Sequence, residues 1–197
     1  MLLDALLLVF LVALLGGGRL QRLDSLQVRA PWVFVLALAL QALALFAGVR
    51  GWTPLAQFAG PLYVLSYLML LAAIALNHRL RPLWIAGLGL GLNLLVIAFN
   101  GGRMPVEVAL VRRTGRPALI RLLNSKTKHA PAGPETRLRF LDDNLVLPPP
   151  YPNPQVFSVG DVFVTAGVCW LLFTGMGAFG LGKSGRKCAT PGLNSSD

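Results

Sequence analysis

The residues best suited to chemistry stand at the ends of apolar segments. Asp161 follows Ser158 by three residues where the last apolar segment begins, and Arg103 follows Asn100 by three residues just after the preceding segment ends. Charge in or beside hydrocarbon is costly, so an ionisable side chain placed there is a candidate functional group. These four residues form the candidate polar site, which we expect at the outer interface of a membrane.

Two interpretations of this site stay open on sequence alone. Ser158 and Asp161 have the spacing of a capping box, in which each side chain accepts a hydrogen bond from a backbone amide of the other. Arg103 is expected at a similar depth and could pair with Asp161, in which case removing one partner would cost about 3–5 kcal/mol. The alternative is an ordinary helix end at Asn100, followed by an arginine that extends to the lipid head groups.

Other chemistries have no matching pattern. The sequence shows no cluster of Cys, His and carboxylates with metal-ligand spacing, no Ser/His/Asp set, no P-loop and no dinucleotide fingerprint. We therefore expect no catalytic residue, no metal and no cofactor, and an enzymatic role is not favoured. The net charge is +10, but the 18 Lys and Arg residues lie between apolar blocks, so no nucleic-acid partner is expected.

The elements that must position the candidate site are apolar helices. The 197 residues are 55% hydrophobic and only 13% charged, too apolar for a soluble or disordered chain of this length. A helix needs about 20 apolar residues to cross a bilayer, and hydrocarbon requires the backbone to be paired within the segment. Five segments qualify, the first of them at the short end of the range: 2–18, 31–49, 58–76, 83–99 and 159–181.

These segments predict an all-α fold, a polytopic membrane helical bundle of about five transmembrane helices. Its transmembrane domain comprises residues 1–182, with a long extracytoplasmic loop over 100–158, and residues 183–197 form a disordered cytoplasmic tail. Within the fourth segment, Gly87 and Gly91 have the small-xxx-small spacing that lets two helices approach closely, so we predict helix packing there.

Charge in the loops predicts the orientation. Short cytoplasmic loops gather Lys and Arg. The short loop after the second segment carries only Arg50. The loops after the first and third segments and the tail, which lie on the other side, carry eight cations: Arg19, Arg22, Arg29, Arg79, Arg81, Lys183, Arg186 and Lys187. We therefore expect the N-terminus outside and the C-terminus in the cytoplasm, although nine further cations lie in the long loop.

Three parts of the long loop have local patterns. Residues 105–111 and 117–123 each open with proline and are mostly apolar, which predicts short helices. Arg112 and Arg113 follow the first segment and Arg121 lies in the second, as in helices at a membrane surface. The two short helices either lie at the membrane surface or pack across the tops of the spans. Residues 148–154 predict a stiff polyproline-like connector that leads into the last helix.

Four motifs resemble a bacterial integral-membrane family classified only as a domain of unknown function, with about five helices. They lie at residues 100–106, 125–129, 136–142 and 156–162. The resemblance implies this architecture and a bacterial inner (cell) membrane, and it implies no activity. This chain has Leu141-Asp142-Asp143 where the family pattern has Leu-Gly-Asp, so a strict role for that glycine is in doubt.

Three roles are compatible with these observations. The favoured one is a scaffold or accessory subunit of a membrane assembly, whose partners are the lipid bilayer and other membrane protein subunits. The alternative is a protein that binds or handles a lipid or lipid-linked substrate at the outer leaflet through Arg103 and Asp161, with anionic lipid head groups as partners. An ion-coupled transporter is less favoured, because a relay needs several ionisable groups across the bilayer and only Asp161 qualifies.

Overall fold

The computed structural model describes residues 2–123 and 128–180, and within them the chain is mostly helical. The predicted tail over 183–197 lies outside the described residues. Eight α-helices occur in the described part: α1 (Leu2–Leu15), α2 (Pro31–Arg50), α3 (Thr53–Ala56), α4 (Ala59–Leu76), α5 (Arg81–Phe99), α6 (Val108–Arg113), α7 (Pro117–Leu123) and α8 (Val159–Gly175).

The lengths of the helices support three to four candidate membrane spans. Among the described residues, α2, α4 and α5 are long and apolar enough to cross a membrane. A fourth span results if α1 is counted together with the 3₁₀ helix Leu20–Leu26, which is bent 109° from it. Helix α1 ends three residues earlier than predicted because the chain turns at Gly17, whose φ is +77°. Helix α8 is a shorter apolar helix of 17 residues that ends at Gly175 and not at 181.

The helices form a row and do not close around one common core. Helix α2 packs on α4, α4 on α5, α5 on α8, and α8 on α1. The two end helices are barely covered, since α1 buries only Ala13 and α2 buries only small residues: Ala37, Ala44, Ala47 and Gly48. Much of the apolar surface of the row therefore faces outward.

Glycines set the close antiparallel contact between α5 and α8. A Cβ atom on Gly89 would lie 2.7 Å from the backbone nitrogen of Val164, and one on Gly167 would lie 2.7 Å from the carbonyl oxygen of Pro82. Real Cβ atoms do not approach so closely, so these positions accept only glycine without a shift of the helices. The contact repeats along both helices and fixes their relative depth.

The predicted packing glycines are not the ones that α5 uses against α8. A Cβ atom on Gly87 would meet the Ile74 side chain of α4 at 3.3 Å, and one on Gly91 would meet nothing within 4 Å. Gly89 faces α8 because it shares a helix face with Ala86 and Asn93, three and four residues away. The spacing of Gly87 and Gly91 predicts packing, but spacing alone does not say which helix face meets a neighbour.

The linker between α1 and α2 crosses one end of the row, which we call the short-loop end. Asn77, the residue directly after α4, holds this linker: its Oδ1 accepts from the Arg29 amide at 2.6 Å and its Nδ2 donates to the Arg29 carbonyl at 2.9 Å. Nearby, Arg22 Nη1 donates to the carbonyl of Gly177 at 3.0 Å, beyond the end of α8. The basic segments 19–29 and 79–81 therefore lie at the same end of the row.

The opposite end, which we call the loop end, carries the described residues of 100–158; we call these the loop layer. Two small sheets shape this layer: β1 (Met104–Val106) pairs in parallel with β2 (His129–Pro131), and β3 (Leu145–Leu147) pairs antiparallel with β4 (Gln155–Phe157). Gln155 also ties the layer to α1 through a hydrogen bond to Asp4 Oδ2 at 3.1 Å.

The sheets correct two predictions about the loop. Pro105 lies in a strand, so the first short helix begins at Val108 and not at 105. Residues 148–154 form the loop of the β3–β4 hairpin and so lead into β4 before the last helix begins. The two short helices pack within the layer, where Val106, Val111 and Leu123 share a buried cluster. Strands of three residues are too short to show an alternating pattern, which is why the sequence did not predict them.

Candidate functional site

The turn after α5 places the first half of the candidate site. Gly101 and Gly102 have φ values of +67° and +81°, and the Gly102 amide donates to the carbonyl of Ile97 at 2.8 Å, which closes the helix end. A Cβ atom on Gly102 would lie 2.8 Å from the carbonyl carbon of Gly60, so the turn rests directly on the start of α4. Met104 follows this turn and is buried against the helices.

Asn100 holds the loop layer on the end of α5. Its Oδ1 accepts from the Arg137 amide at 2.9 Å, and its Nδ2 donates to the Arg137 carbonyl at 2.9 Å and to the Val96 carbonyl at 2.8 Å. Both polar atoms of the side chain are thus committed to backbone partners. Asn100 is therefore a positioning residue for the segment around Arg137.

The start of α8 confirms the predicted capping box. The Asp161 amide donates to Ser158 Oγ at 3.1 Å, and the Ser158 amide donates to Asp161 Oδ2 at 3.2 Å. The box pairs two amides that would otherwise be unsatisfied at the first turn of the helix. This contact accounts for one carboxylate oxygen of Asp161.

Asn93 of α5 completes a buried polar network with the cap. Asn93 Nδ2 donates to Asp161 Oδ1 at 2.8 Å, and Ser158 Oγ donates to Asn93 Oδ1 at 2.9 Å. Ser158 and Asn93 are both buried. Each polar atom of the three side chains has a partner inside the protein, as groups of low exposure require.

Arg103 does not take the expected place beside Asp161. Within the described ranges no ion pair joins these two residues; Asn93 occupies the position of a partner. The reason is depth: Asn93 lies nearly two turns before the end of α5, level with the first turn of the antiparallel α8. Arg103 comes after the glycine turn and belongs to the loop layer.

Lys128 supplies the cation that faces this network. Its Nζ lies 5.4 Å from the ring centroid of Tyr67 on α4. Burial by itself lowers the pKa of Lys128, but attraction from Tyr67, Asp161 and Asp143 outweighs burial and raises the pKa above its ordinary value. Lys128 therefore stays charged at neutral pH. Its position in a polar stretch gave no signal from which the sequence could assign it to the site.

Two adjacent carboxylates form a second buried charged group in the loop layer. Asp143 Oδ2 lies 3.3 Å from His129 Nε2, and the Asp143 amide donates to the Pro105 carbonyl at 3.1 Å. Burial and the neighbouring Asp143 raise the pKa of Asp142 to about 6, while Arg139 acts in the opposite direction. Asp142 has a φ of −69°, so the backbone there does not require the glycine of the family pattern.

Arg103 lines an open groove of about 600 Å³ between the end of α5 and the loop layer. Phe99 and Asn100 form its helix side, and Glu135 and Arg137 belong to the segment opposite. The structure thus divides the candidate site in two. Asn100 and Arg103 belong to the groove, whereas Ser158 and Asp161 belong to the buried network.

These features define a class: a helical protein with three to four candidate membrane spans and a polar layer at one end. The chain belongs to a family of unknown function, DUF5317, whose model matches residues 25–173. The matched part includes the groove, the buried network and the loop layer, and it confirms that the chain belongs to a family of unknown function. No match was found among the curated proteins or among the solved structures.

Proposed function

We propose that this protein is a multi-pass membrane scaffold or accessory subunit that binds a helix of another membrane protein. The observation that carries the proposal is the outward position of Gly91. This glycine lies at the middle of α5, the central helix of the row, with open space where a side chain would stand.

The surroundings of Gly91 have the shape that a second helix needs. Trp84, Leu88, Leu95 and Phe99 are exposed on the same helix, so Gly91 forms a notch in an apolar strip. Lipid chains can cover leucines as well as a protein can, so apolar exposure alone does not favour a partner. A glycine notch does favour a partner helix, because it lets two backbones approach closely. The two helices then gain packing contacts that flexible lipid chains provide less well.

The polar side chains of the candidate site form hydrogen bonds within the protein, which agrees with a structural role. Asn93, Ser158 and Asp161 satisfy one another, and Asn100 holds the loop layer. Such contacts stiffen the loop layer relative to α5 and α8. A rigid layer above an open row of helices suits a protein that positions other subunits.

The charge in the short loops supports an orientation for this role. Arg19, Arg22, Arg29, Arg79 and Arg81 belong to segments at the short-loop end, so that end should face the cytoplasm. The loop layer would then lie outside the inner membrane of a bacterial cell, with the N-terminus on the same side.

The test is Gly91→Ile, which fills the notch, with Ala72→Ile as the matched control on an exposed position of α4. Membranes are dissolved in a mild detergent, and native mass spectrometry measures the chains that remain bound. We expect the wild type and Ala72→Ile to retain the same protein chain at fixed stoichiometry, and Gly91→Ile to lose it. A wild type that carries lipid alone would refute the proposal, as would equal retention in both variants.

A further inference from the structure

We propose that the groove beside Arg103 binds the phosphate-bearing head group of a membrane phospholipid. This binding role goes beyond the scaffold role. Its volume of about 600 Å³ lies in the range of small-molecule sites, and it is open at the loop end of α5.

Charge in the groove fits a phosphate. Arg103 and Arg137 both line it, and guanidinium groups bind phosphate oxygens through paired, charge-assisted hydrogen bonds. Among the described residues, Glu135 is the one acidic side chain on the wall. It can accept hydrogen bonds from hydroxyl or ammonium groups, so the groove suits a head group that carries such donors beside its phosphate.

The frame of the groove is held rigidly on both sides. Asn100 binds the amide and the carbonyl of Arg137, which fixes one wall to the end of α5. The turn at Gly102 rests on Gly60, which fixes the base of Arg103 to α4. Two guanidinium groups presented from fixed backbones lose less freedom on binding than they would on a mobile loop.

The position of the groove favours a lipid over a soluble phosphate. Phe99 is the last residue of α5, it is exposed, and it forms the helix side of the groove. The apolar strip of α5 therefore leads directly into a pair of cations. Trp52 is also exposed at the same end of the row, and exposed aromatic residues mark the depth of the head groups. A phospholipid would place its chains beside Phe99, at the loop end of the strip, and its phosphate against the arginines.

The experiment compares the full-length wild type with the double variant Arg103→Gln/Arg137→Gln. Arg50→Gln is the matched control, because it removes a cation at the loop end outside the groove. Each protein is purified in detergent with equal amounts of phosphatidylglycerol and phosphatidylcholine, and native mass spectrometry counts the retained lipids. Thermal unfolding shows whether each variant is folded; if the double variant is not, Arg137→Gln alone replaces it.

We expect the wild type and Arg50→Gln to retain phosphatidylglycerol in preference to phosphatidylcholine, and the groove variant to lose at least about tenfold of that preference. Equal preference in all three proteins would overturn the proposal, and so would an equal loss in Arg50→Gln, since that would reflect overall charge. In a second arm, glycerol 3-phosphate is added as a free competitor. Displacement of the lipid by micromolar glycerol 3-phosphate would identify a site for a soluble phosphate ester and overturn the lipid assignment.

Discussion

Two asparagines perform the same task at opposite ends of the helix row. Asn77 directly follows α4 and Asn100 directly follows α5, and each binds both the amide and the carbonyl of one residue in a crossing segment. Each Nδ2 also donates to the carbonyl four residues earlier in its own helix. The side chain thus links the end of its helix to the backbone of the crossing segment. Aspartate cannot reproduce these contacts because it has no N–H donor.

At the scale of single residues, Asp142 predicts how stability depends on pH. Its folded pKa of about 6 lies above the ordinary value of 3.8, so the folded protein binds more protons than the unfolded chain between these values. Its contribution therefore becomes unfavourable as pH rises from about 4 to about 6 and stays so above. Asp142→Asn should raise the free energy of unfolding at pH 7 by about 1–2 kcal/mol, reduced by solvent screening near the surface.

The measurement is the thermal unfolding midpoint in mild detergent from pH 4.5 to 7.5. Asp143→Asn is a second variant: it removes the neighbouring charge that raises the pKa of Asp142, so it should weaken the same dependence of stability on pH. Parallel pH profiles for Asp142→Asn and the wild type would contradict the assignment to Asp142.

Residue spacing predicted part of the site and missed the rest for a physical reason. The three-residue interval from Ser158 to Asp161 was sufficient for the capping box, because that contact is local. The partner of Asp161 was not predictable in the same way. Asn93 and Lys128 reach it from distant parts of the chain, and their places depend on the relative depth of α5 and α8 and on the course of the loop.

At the scale of elements, α5 contains an internal comparison between two glycines. Gly89 faces α8 with backbone atoms in contact range, whereas Gly91 faces open space. Gly89→Ala should force the helices apart and lower the free energy of unfolding by about 1–3 kcal/mol. Gly91→Ala should leave it unchanged or raise it by up to about 1 kcal/mol, because alanine favours the helix.

Thermal unfolding of the two variants in the same detergent tests this comparison. Because both substitutions add one methyl group to one helix, effects on expression or on detergent binding should be shared. Equal destabilisation of the two variants would show that the contact between α5 and α8 does not depend on Gly89.

Helices were more predictable than strands. Long apolar runs gave α2, α4 and α5 almost to the residue, because hydrocarbon allows few alternatives for the backbone. The two small sheets escaped prediction because each strand has three residues and its partner comes from another part of the loop. The order of the helices in the row could not be predicted either, because an apolar segment does not indicate which helices pack against it.

At the scale of the whole molecule, the orientation across the membrane can be tested directly. In a background with Cys169→Ser and Cys188→Ser, single cysteines are introduced as Ala109→Cys in the loop layer and His78→Cys at the short-loop end, both at exposed positions. A membrane-impermeant maleimide should label position 109 in intact cells and position 78 only after permeabilisation. The reverse pattern would invert the proposed orientation.

The contact between Gly60 and Gly102 has a mechanical consequence. No side chain separates the start of α4 from the turn that carries Arg103, so the two backbones cannot slide past each other without steric conflict. Helices adjust their tilt when the thickness of the surrounding bilayer changes. A change in the tilt of α4 would therefore displace the backbone of Arg103. The position of Arg103 would thus depend on the thickness of the bilayer.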